Sequence, residues 1–558
     1  MIYLIISLLA IVLILLGWGN LTSRIYGNFW SGWSSTLVAG LLSVTLLANT
    51  VGFFMPLNTS FEIVVILIGL LGLYSIKNLV IGMFQKRKDL WLLLFGLLAI
   101  GVSTFAPFIN DHFGYYVGTV KWLSEYGIVK GISNINLVLG QQSSWHIFQA
   151  SFDQILDPFL RINLVIFFIF TLYIFEKNKW ALLLFLPFFL IYLQSPSPDL
   201  PVYCLAIICT IEVFDKNSKP NYSALWLLAV YLFTLKAIVF WLPLFVLILW
   251  WKSSGFKELT KGKNIVITSF LLILFFGKQL WSFGDFIFPM QTNLVDVSWK
   301  PSSFLLEVSN RYALQKTYDM QYSEAEILSW NVMTKVLKWF TLSGFKSIIN
   351  LLIVLGLLFF GGIAFLKKNN KMKLLWLCVT LKVVLIFYLS GQYRFMLDAM
   401  LPLLALLLLM VSIRSIYYKL IAVFGTLAIV FVFVFPHFLQ QNISSFYVGQ
   451  LMGKPKKEQV LKPQEYSIAD YDTYTVGKLK FYTPNNYHLM LDVPLPCFVP
   501  YSLHEFVVAE VYPEPYDATD LSKGFYLRKI TPTEKQQLDT ILKNYTIYYP
   551  LDKPFVKR

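Results

Sequence analysis

Long apolar runs separated by short polar loops fill the chain from its first residues to about position 435. A membrane-spanning helix takes roughly 20 such residues, fewer where it is short or buried by neighbours. On that count the pattern predicts about fourteen helical spans. They lie near 2–18, 34–55, 62–83, 90–108, 161–175, 180–194, 201–213, 223–236, 238–251, 264–281, 347–366, 374–391, 398–413 and 418–435. Residues 223–251 are too many for one span and few for two, with Lys236 at their centre. Two short helices meeting at a turn are expected there. The first run, 2–17, has neither a basic leader nor a small-residue cleavage site and reads as a retained span.

The first long polar interruption runs from Asn110 to Asp157, directly after an apolar run. Tyr116, Val120 and Leu123 recur at helical spacing, and so do Trp145, Phe148, Phe152, Ile155 and Phe159. The pattern predicts two amphipathic helices at the membrane surface, joined by a Gly/Asn/Ser-rich loop over 127–144. The chain divides into N-terminal helices (1–89), a helical core (90–435) with large loops at 109–160 and 282–345, and a polar tail (436–558). In the tail, Tyr474–Val476 and Leu479–Tyr482 flank Gly477-Lys478, a two-residue hairpin turn. Thr531-Pro532-Thr533-Glu534 is a capping box with proline at the first helical position, opening a helix to about Lys543. Tyr545–Tyr549 reads as a closing strand, so the tail is expected to be a small α+β domain.

Composition supports this division. Hydrophobic residues make up 57% and charged residues 14% of the 558, with a mean hydropathy of +0.63; soluble domains average about 25% charged. The formal net charge of +15 does not imply a nucleic-acid partner. The tail is nearly balanced, with 14 Lys/Arg against 13 Asp/Glu, so the excess sits in short loops. Those loops, at 86–88, 177–179, 216–219, 252–263, 367–373 and 414–419, alternate with the long loops and the tail. By the positive-inside rule the basic set is cytoplasmic, and the long loops and tail are extracytoplasmic. Of the cysteines only Cys497 lies in the tail, and no CxxC pair exists, so neither a tail disulfide nor a cysteine metal site is expected.

Ionisable residues at the ends of apolar runs are the candidate chemistry, because such positions are costly to keep. Asp111 and His112 stand at the mouth of the fourth run and are candidate acid/base groups. Asp199, in Ser195-Pro-Ser-Pro-Asp199, is aimed by two prolines and joins them as a catalytic candidate. Lys236 must snorkel, pair with an acid or hold an anion. Arg394 suits phosphate recognition, and Asp398, four residues on, could pair with it. Asp285 and Trp299 in the second large loop, with Tyr116 and Trp145 on the two predicted surface helices, complete the substrate-binding candidates. No G-x-S-x-G elbow, P-loop, H-E-x-x-H or dinucleotide fingerprint occurs.

Taken together these pieces resemble the GT-C class of polytopic membrane glycosyltransferases, and within it a broad group of bacterial membrane proteins. The resemblance rests on Asn110-Asp111-His112 with Tyr115-Tyr116, Lys121-Trp122, Ser143-Ser144-Trp145, Ser195–Pro201, Thr234-Leu235-Lys236, Val295–Pro301, Arg394-Phe395 and Pro494–Cys497. It runs from about Leu90 onward, with the N-terminal helices as an addition. It implies transfer of a sugar from a polyprenyl-phosphate carrier to a glycan, lipid or protein acceptor, outside a bacterial inner membrane. In that class an acid in the first large loop acts as base or divalent-metal ligand, a role that maps onto Asp111. Many members carry paired acids there, whereas this loop offers Asn110-Asp111. A surface-polysaccharide polymerase or ligase, a transporter of lipid-linked sugar, and an envelope-complex subunit docking a partner through the tail share the same layout.

Overall fold

A computed structural model of the chain describes residues 1–78, 89–216, 219–254, 263–292, 294–436, 438, 454–465, 470–485, 489–490 and 492–545. The helices in chain order are α1 (Ile2–Tyr26), α2 (Trp33–Val51), α3 (Thr59–Tyr74), α4 (Leu90–Ser103), α5 (Val117–Tyr126), α6 (Ser144–Ala150), α7 (Asn163–Lys177), α8 (Asp199–Phe214), α9 (Tyr222–Leu235), α10 (Trp241–Ser254) and α11 (Lys263–Phe283). The second large loop holds α12 (Ser303–Thr317), α13 (Glu324–Ser329) and α14 (Val332–Phe340). Then come α15 (Phe345–Leu366), α16 (Asn370–Ser390), α17 (Leu397–Leu409) and α18 (Ser415–Val434). Among the described residues six helices, α1, α2, α11, α15, α16 and α18, are long and apolar enough to cross a membrane.

Among the described residues the predicted apolar segments are helical, and several are short. Trp180–Tyr192 is a mixture of 3-10 and α turns, because Pro187 in its middle has no N–H to give to a continuous ladder. The break expected at Lys236 is present: α9 ends at Leu235, and a 3-10 turn, Ala237–Phe240, leads into α10. Helices α1, α2 and α3 pack at backbone contact. A Cβ on Gly17 would overlap the Gly69 carbonyl, so small residues are required at this crossing.

The two ends of the bundle are closed by different contacts. At one end Lys177 reaches Ser31 Oγ (3.1 Å), Lys263 reaches the Arg24 carbonyl (3.2 Å) and Lys371 the Val213 carbonyl (3.1 Å). Lys419 lies over the Trp180 ring. At the other end Tyr3 N–H donates to Leu461 O (3.1 Å) and Gln464 N–H to Thr104 O (2.8 Å), so the described start of the tail returns to the first turn of α1 and the end of α4.

The polar stretch after Asn110 is not a pair of surface helices. His112–Tyr116 is a π-helical turn running into α5, and α6 stops at Ala150, with every residue from Ser144 to Ala150 buried. Trp145, Phe148 and Phe152 are each 0% exposed. The apolar spacing marks a core stripe here, because Trp145, Phe148 and Phe152 pack into the core of the helical bundle. The link between α5 and α6 is also largely buried, at Val129, Ile132, Ser133, Asn134 and Ile135.

The tail contains β1 (Tyr471–Val476), β2 (Leu479–Pro484), α19 (Pro500–Val508), β3 (Val511–Pro515), β4 (Phe525–Lys529) and α20 (Pro532–Lys543). β1 and β2 form the expected antiparallel hairpin, with Gly477 at φ 57° in its turn, and β3 pairs with β4 in a second one. The capping box at Thr531 and Glu534 is formed. Residues 546–549 of the expected closing strand, and the basic stretches 86–88 and 255–262, lie outside the described residues. The tail shares its core with the first loop: Trp122, Val129, Ile132, Ile135 and Leu139 pack with Phe481, Phe498, Leu503, Phe525 and Leu538. Phe525 N–H donates to Lys130 O (2.9 Å) and Lys121 Nζ to Asp492 O (2.8 Å).

A buried carboxylate holds the far side of the loop. Glu62, 0% exposed near the start of α3, accepts the N–H groups of Gln154, Ile155 and Leu156, each at 2.9 Å. Glu62→Gln puts an amide NH₂ where an acceptor is needed, and a buried N–H left without a partner costs about 1–3 kcal/mol. The expected result is faster hydrogen exchange at 154–156 and a lower melting temperature. Unchanged exchange at those amides would mean that other contacts hold the loop.

Candidate functional site

Asp111 begins the π-helical turn after α4. A π turn widens the helix and is common at functional sites, and here it leaves the Asp111 carboxylate at the rim of the bundle, 38% exposed. Its Oδ2 lies 3.3 Å from Arg394 Nη1, and Arg394 comes from the 3-10 turn Tyr393–Phe395 that joins α16 to α17. Asp199 opens α8 and forms an ion pair with Lys236, the residue at the α9 break. The two pairs meet on one ring: Lys236 Nζ is 5.2 Å and Arg394 Cζ 4.9 Å from the Phe395 centroid. Four charged residues from widely separated parts of the sequence therefore converge. Burial works against the charge on Arg394, but Asp111 and Asp199 together hold its guanidinium above its ordinary value.

A cavity of about 410 Å³ opens beside this cluster, lined by Asp111, Lys316, Asp319, Lys346, Tyr393 and Arg394 among others. Asp319 pairs with Lys346. Lys316, at the end of α12, has no carboxylate within ion-pair distance among the described residues. Burial, and then the nearby Arg394, lower its pKa from the ordinary lysine value. The cavity wall thus carries two matched pairs and one cation to spare.

Other predicted residues are placed differently. His112 is 4% exposed and turned inward, with Nδ1 3.2 Å from Ser195 Oγ, and burial holds its pKa well below the usual histidine range. It does not face the cavity as an acid or base. Tyr116 is buried behind Tyr115, with the ring centroids 4.6 Å apart, and is not a cavity residue. Trp145 is a core side chain that stacks on Phe148 and donates to Asn163 Oδ1 at 2.8 Å. Asp285 is fully buried: it accepts the N–H groups of Phe286 (2.8 Å) and Thr292 (2.7 Å) and pairs with Lys300 (3.3 Å), stapling its own loop. Trp299 donates to Leu280 O (2.9 Å) and lies under Lys130, 4.0 Å from its ring centroid. That contact belongs to the junction between tail and loop.

Asp398 does not pair with Arg394. It is buried, ion-paired with Lys382 of α16, and accepts the Trp241 indole N–H at 3.0 Å. The reason is local: Arg394 precedes the first residue of α17, so the two are not on consecutive turns of one helix. The apolar pattern singles out neither Lys316, Asp319 nor Lys346, which look like ordinary loop charges. Lys382 and Lys278 did carry a signal, each being a lysine inside an apolar run. Lys278 is fully buried against Asn49 Oδ1 and Ser144 Oγ, both at 3.2 Å.

The donor set does not fit a divalent metal. Asp111 and Asp199 are each engaged by a cation and His112 faces Ser195. Among the described residues no group of three or more His, Cys, Asp or Glu is close enough to share an ion. Fold and site together define a mostly helical protein, with six helices among the described residues long and apolar enough to cross a membrane, and a cation-rich cavity beside the Asp111–Arg394 pair. A family model described as a domain of unknown function (DUF8201) matches residues 1–401, and the chain belongs to that family. The match starts at residue 1 and so takes in the N-terminal helices as well as most of the core. No curated protein and no solved structure matches the chain.

Proposed function

We propose that this protein is a membrane glycosyltransferase of GT-C type, moving a sugar from a polyprenyl-phosphate-linked donor to an envelope acceptor. The observation that carries the reading is the surplus positive charge in a cavity at the bundle rim, next to a carboxylate that a cation can release. In this reading the fourteen apolar segments form the membrane-embedded part. The end that gathers Lys177, Lys263, Lys371 and Lys419 faces the cytoplasm, and the site and tail face outward.

Arg394 and Lys316 take the donor phosphate, and as Arg394 turns to it the carboxylate of Asp111 is freed. Asp111 then accepts the proton of the acceptor hydroxyl. The acceptor oxygen bonds to the anomeric carbon, and the bond from that carbon to the phosphate oxygen breaks with its electron pair leaving on polyprenyl phosphate. Positioned cations help most where such charge develops. Lys236, held by Asp199, keeps Asp199 neutralised and buttresses Phe395 behind Arg394.

The test is transfer by purified protein in nanodiscs supplied with polyprenyl-phosphate sugars and a hydroxyl acceptor. Removing a charge-assisted contact costs about 1.5–3 kcal/mol, so Lys316→Gln is expected to raise KM for the donor roughly 10–100-fold. A lysine holds an anion only while protonated. Because the Lys316 pKa is lowered, donor binding by the wild type should fall as pH rises through a value below that of an ordinary lysine. The Lys316→Gln protein should lose that pH dependence. Passage of lipid-linked sugar across the bilayer with no chemical conversion would replace this reading with transport.

A further inference from the structure

Helix α14 wears its apolar side outward. Val332, Met333 and Leu337 share one stripe and are 76%, 67% and 55% exposed, and Leu328 just before them is 61% exposed. The opposite side is fastened down. Trp339 is buried and donates its indole N–H to Gly391 O at 2.7 Å, while Asn350 donates to Trp339 O at 2.9 Å. Lys338 folds over the Tyr322 and Trp330 rings, 5.1 and 5.9 Å from their centroids. This reverses the arrangement of a water-facing helix, where charges turn out and the apolar stripe turns in.

The neighbouring element indicates what covers the stripe. Helix α15 starts directly after α14 and is one of those long and apolar enough to cross a membrane. Its Phe345, Ile348 and Leu352 are 53%, 51% and 61% exposed, so the apolar surface of α14 continues the outer face of α15. A short helix with a large apolar face and fixed polar contacts behind it suits the boundary between headgroups and acyl chains.

We propose that α14 lies in the plane of the bilayer at headgroup depth, with Val332, Met333 and Leu337 sunk among the lipids. Lipid is its occupant, and the helix serves as a wall between bilayer and cavity. Leu342 and Lys346, just beyond α14, line the cavity, as does Gly391, the acceptor for Trp339. The cavity is thereby set at the height of lipid phosphates, whatever reaction the site performs.

The test uses the full chain with Met333→Cys or Leu337→Cys, labelled with an environment-sensitive fluorophore. The four native cysteines are buried. The protein is reconstituted in phosphatidylcholine/phosphatidylglycerol vesicles. Leu352→Cys is the lipid-facing reference, and Glu307→Cys, whose side chain is 62% exposed, is the water-facing one. Labels at 333 and 337 are expected to lose fluorescence to spin-labelled lipid as at 352, and to resist iodide. Iodide quenching like that at 307 would overturn the proposal. So would protection from both quenchers, which would mean that a protein covers the helix.

Discussion

Asp111→Asn is expected to yield a protein that inserts and folds normally but forms glycan product roughly 10²–10⁴-fold more slowly, the usual contribution of a general base. Asparagine keeps the shape of the side chain and one oxygen for Arg394, so the loss isolates the proton-accepting role. In the proposed reaction Arg394 faces the breaking bond, so Arg394→Ala is expected to lose about 10²–10³-fold in kcat. The double variant should lose less than the product of the two losses, because Asp111 and Arg394 already contact each other at 3.3 Å. Product at wild-type rate from Asp111→Asn would take this residue out of the chemistry, leaving the ion pair as a brace between the first loop and the α16–α17 turn.

The second large effect is on stability. Asp398→Ala strands the Lys382 ammonium, 0% exposed, with no carboxylate, and takes the acceptor from the Trp241 indole. Breaking a buried pair from one side typically costs about 3–5 kcal/mol. A large drop in melting temperature is expected in detergent or nanodiscs. Replacing both partners with apolar residues, Asp398→Leu with Lys382→Met, should recover most of it, since no charge then stays buried. A melting temperature unchanged by Asp398→Ala would mean that Lys382 is neutral or has found another partner.

Much of the scaffold can be read from the sequence because its signals are local. The apolar runs give helices, Gly477-Lys478 gives a hairpin, Thr531 and Glu534 give a capped helix, and Lys236 marks a break between two short helices. That Lys236 needs an anion or an escape to water is legible from its apolar surroundings, whereas its partner, Asp199, is chosen by the packing. The spacing of Trp145, Phe148 and Phe152 is equally local but ambiguous, since a buried helix and a surface helix share the same period. Deciding between them requires knowing that this stretch is drawn into the core of the bundle. The cavity charges are harder still: Lys316, Asp319 and Lys346 acquire meaning only when α12 and α15 are brought against Arg394. The four-residue spacing of Arg394 and Asp398 misleads for a related reason, as periodicity does not reveal where a helix begins.

The core shared by the tail and the first loop bears on how the molecule is made. Trp122, Val129, Ile132 and Ile135 leave the ribosome hundreds of residues ahead of Phe498, Phe525 and Leu538, which are needed to seal them. Until those later residues arrive, the apolar side chains of that loop have no cover from the tail. The helices between them are made before that core is closed, and the later-made tail fixes the earlier-made loop in place. The tail therefore works as a keystone: a protein shortened before it would retain its helices but leave the rim without a fixed shape.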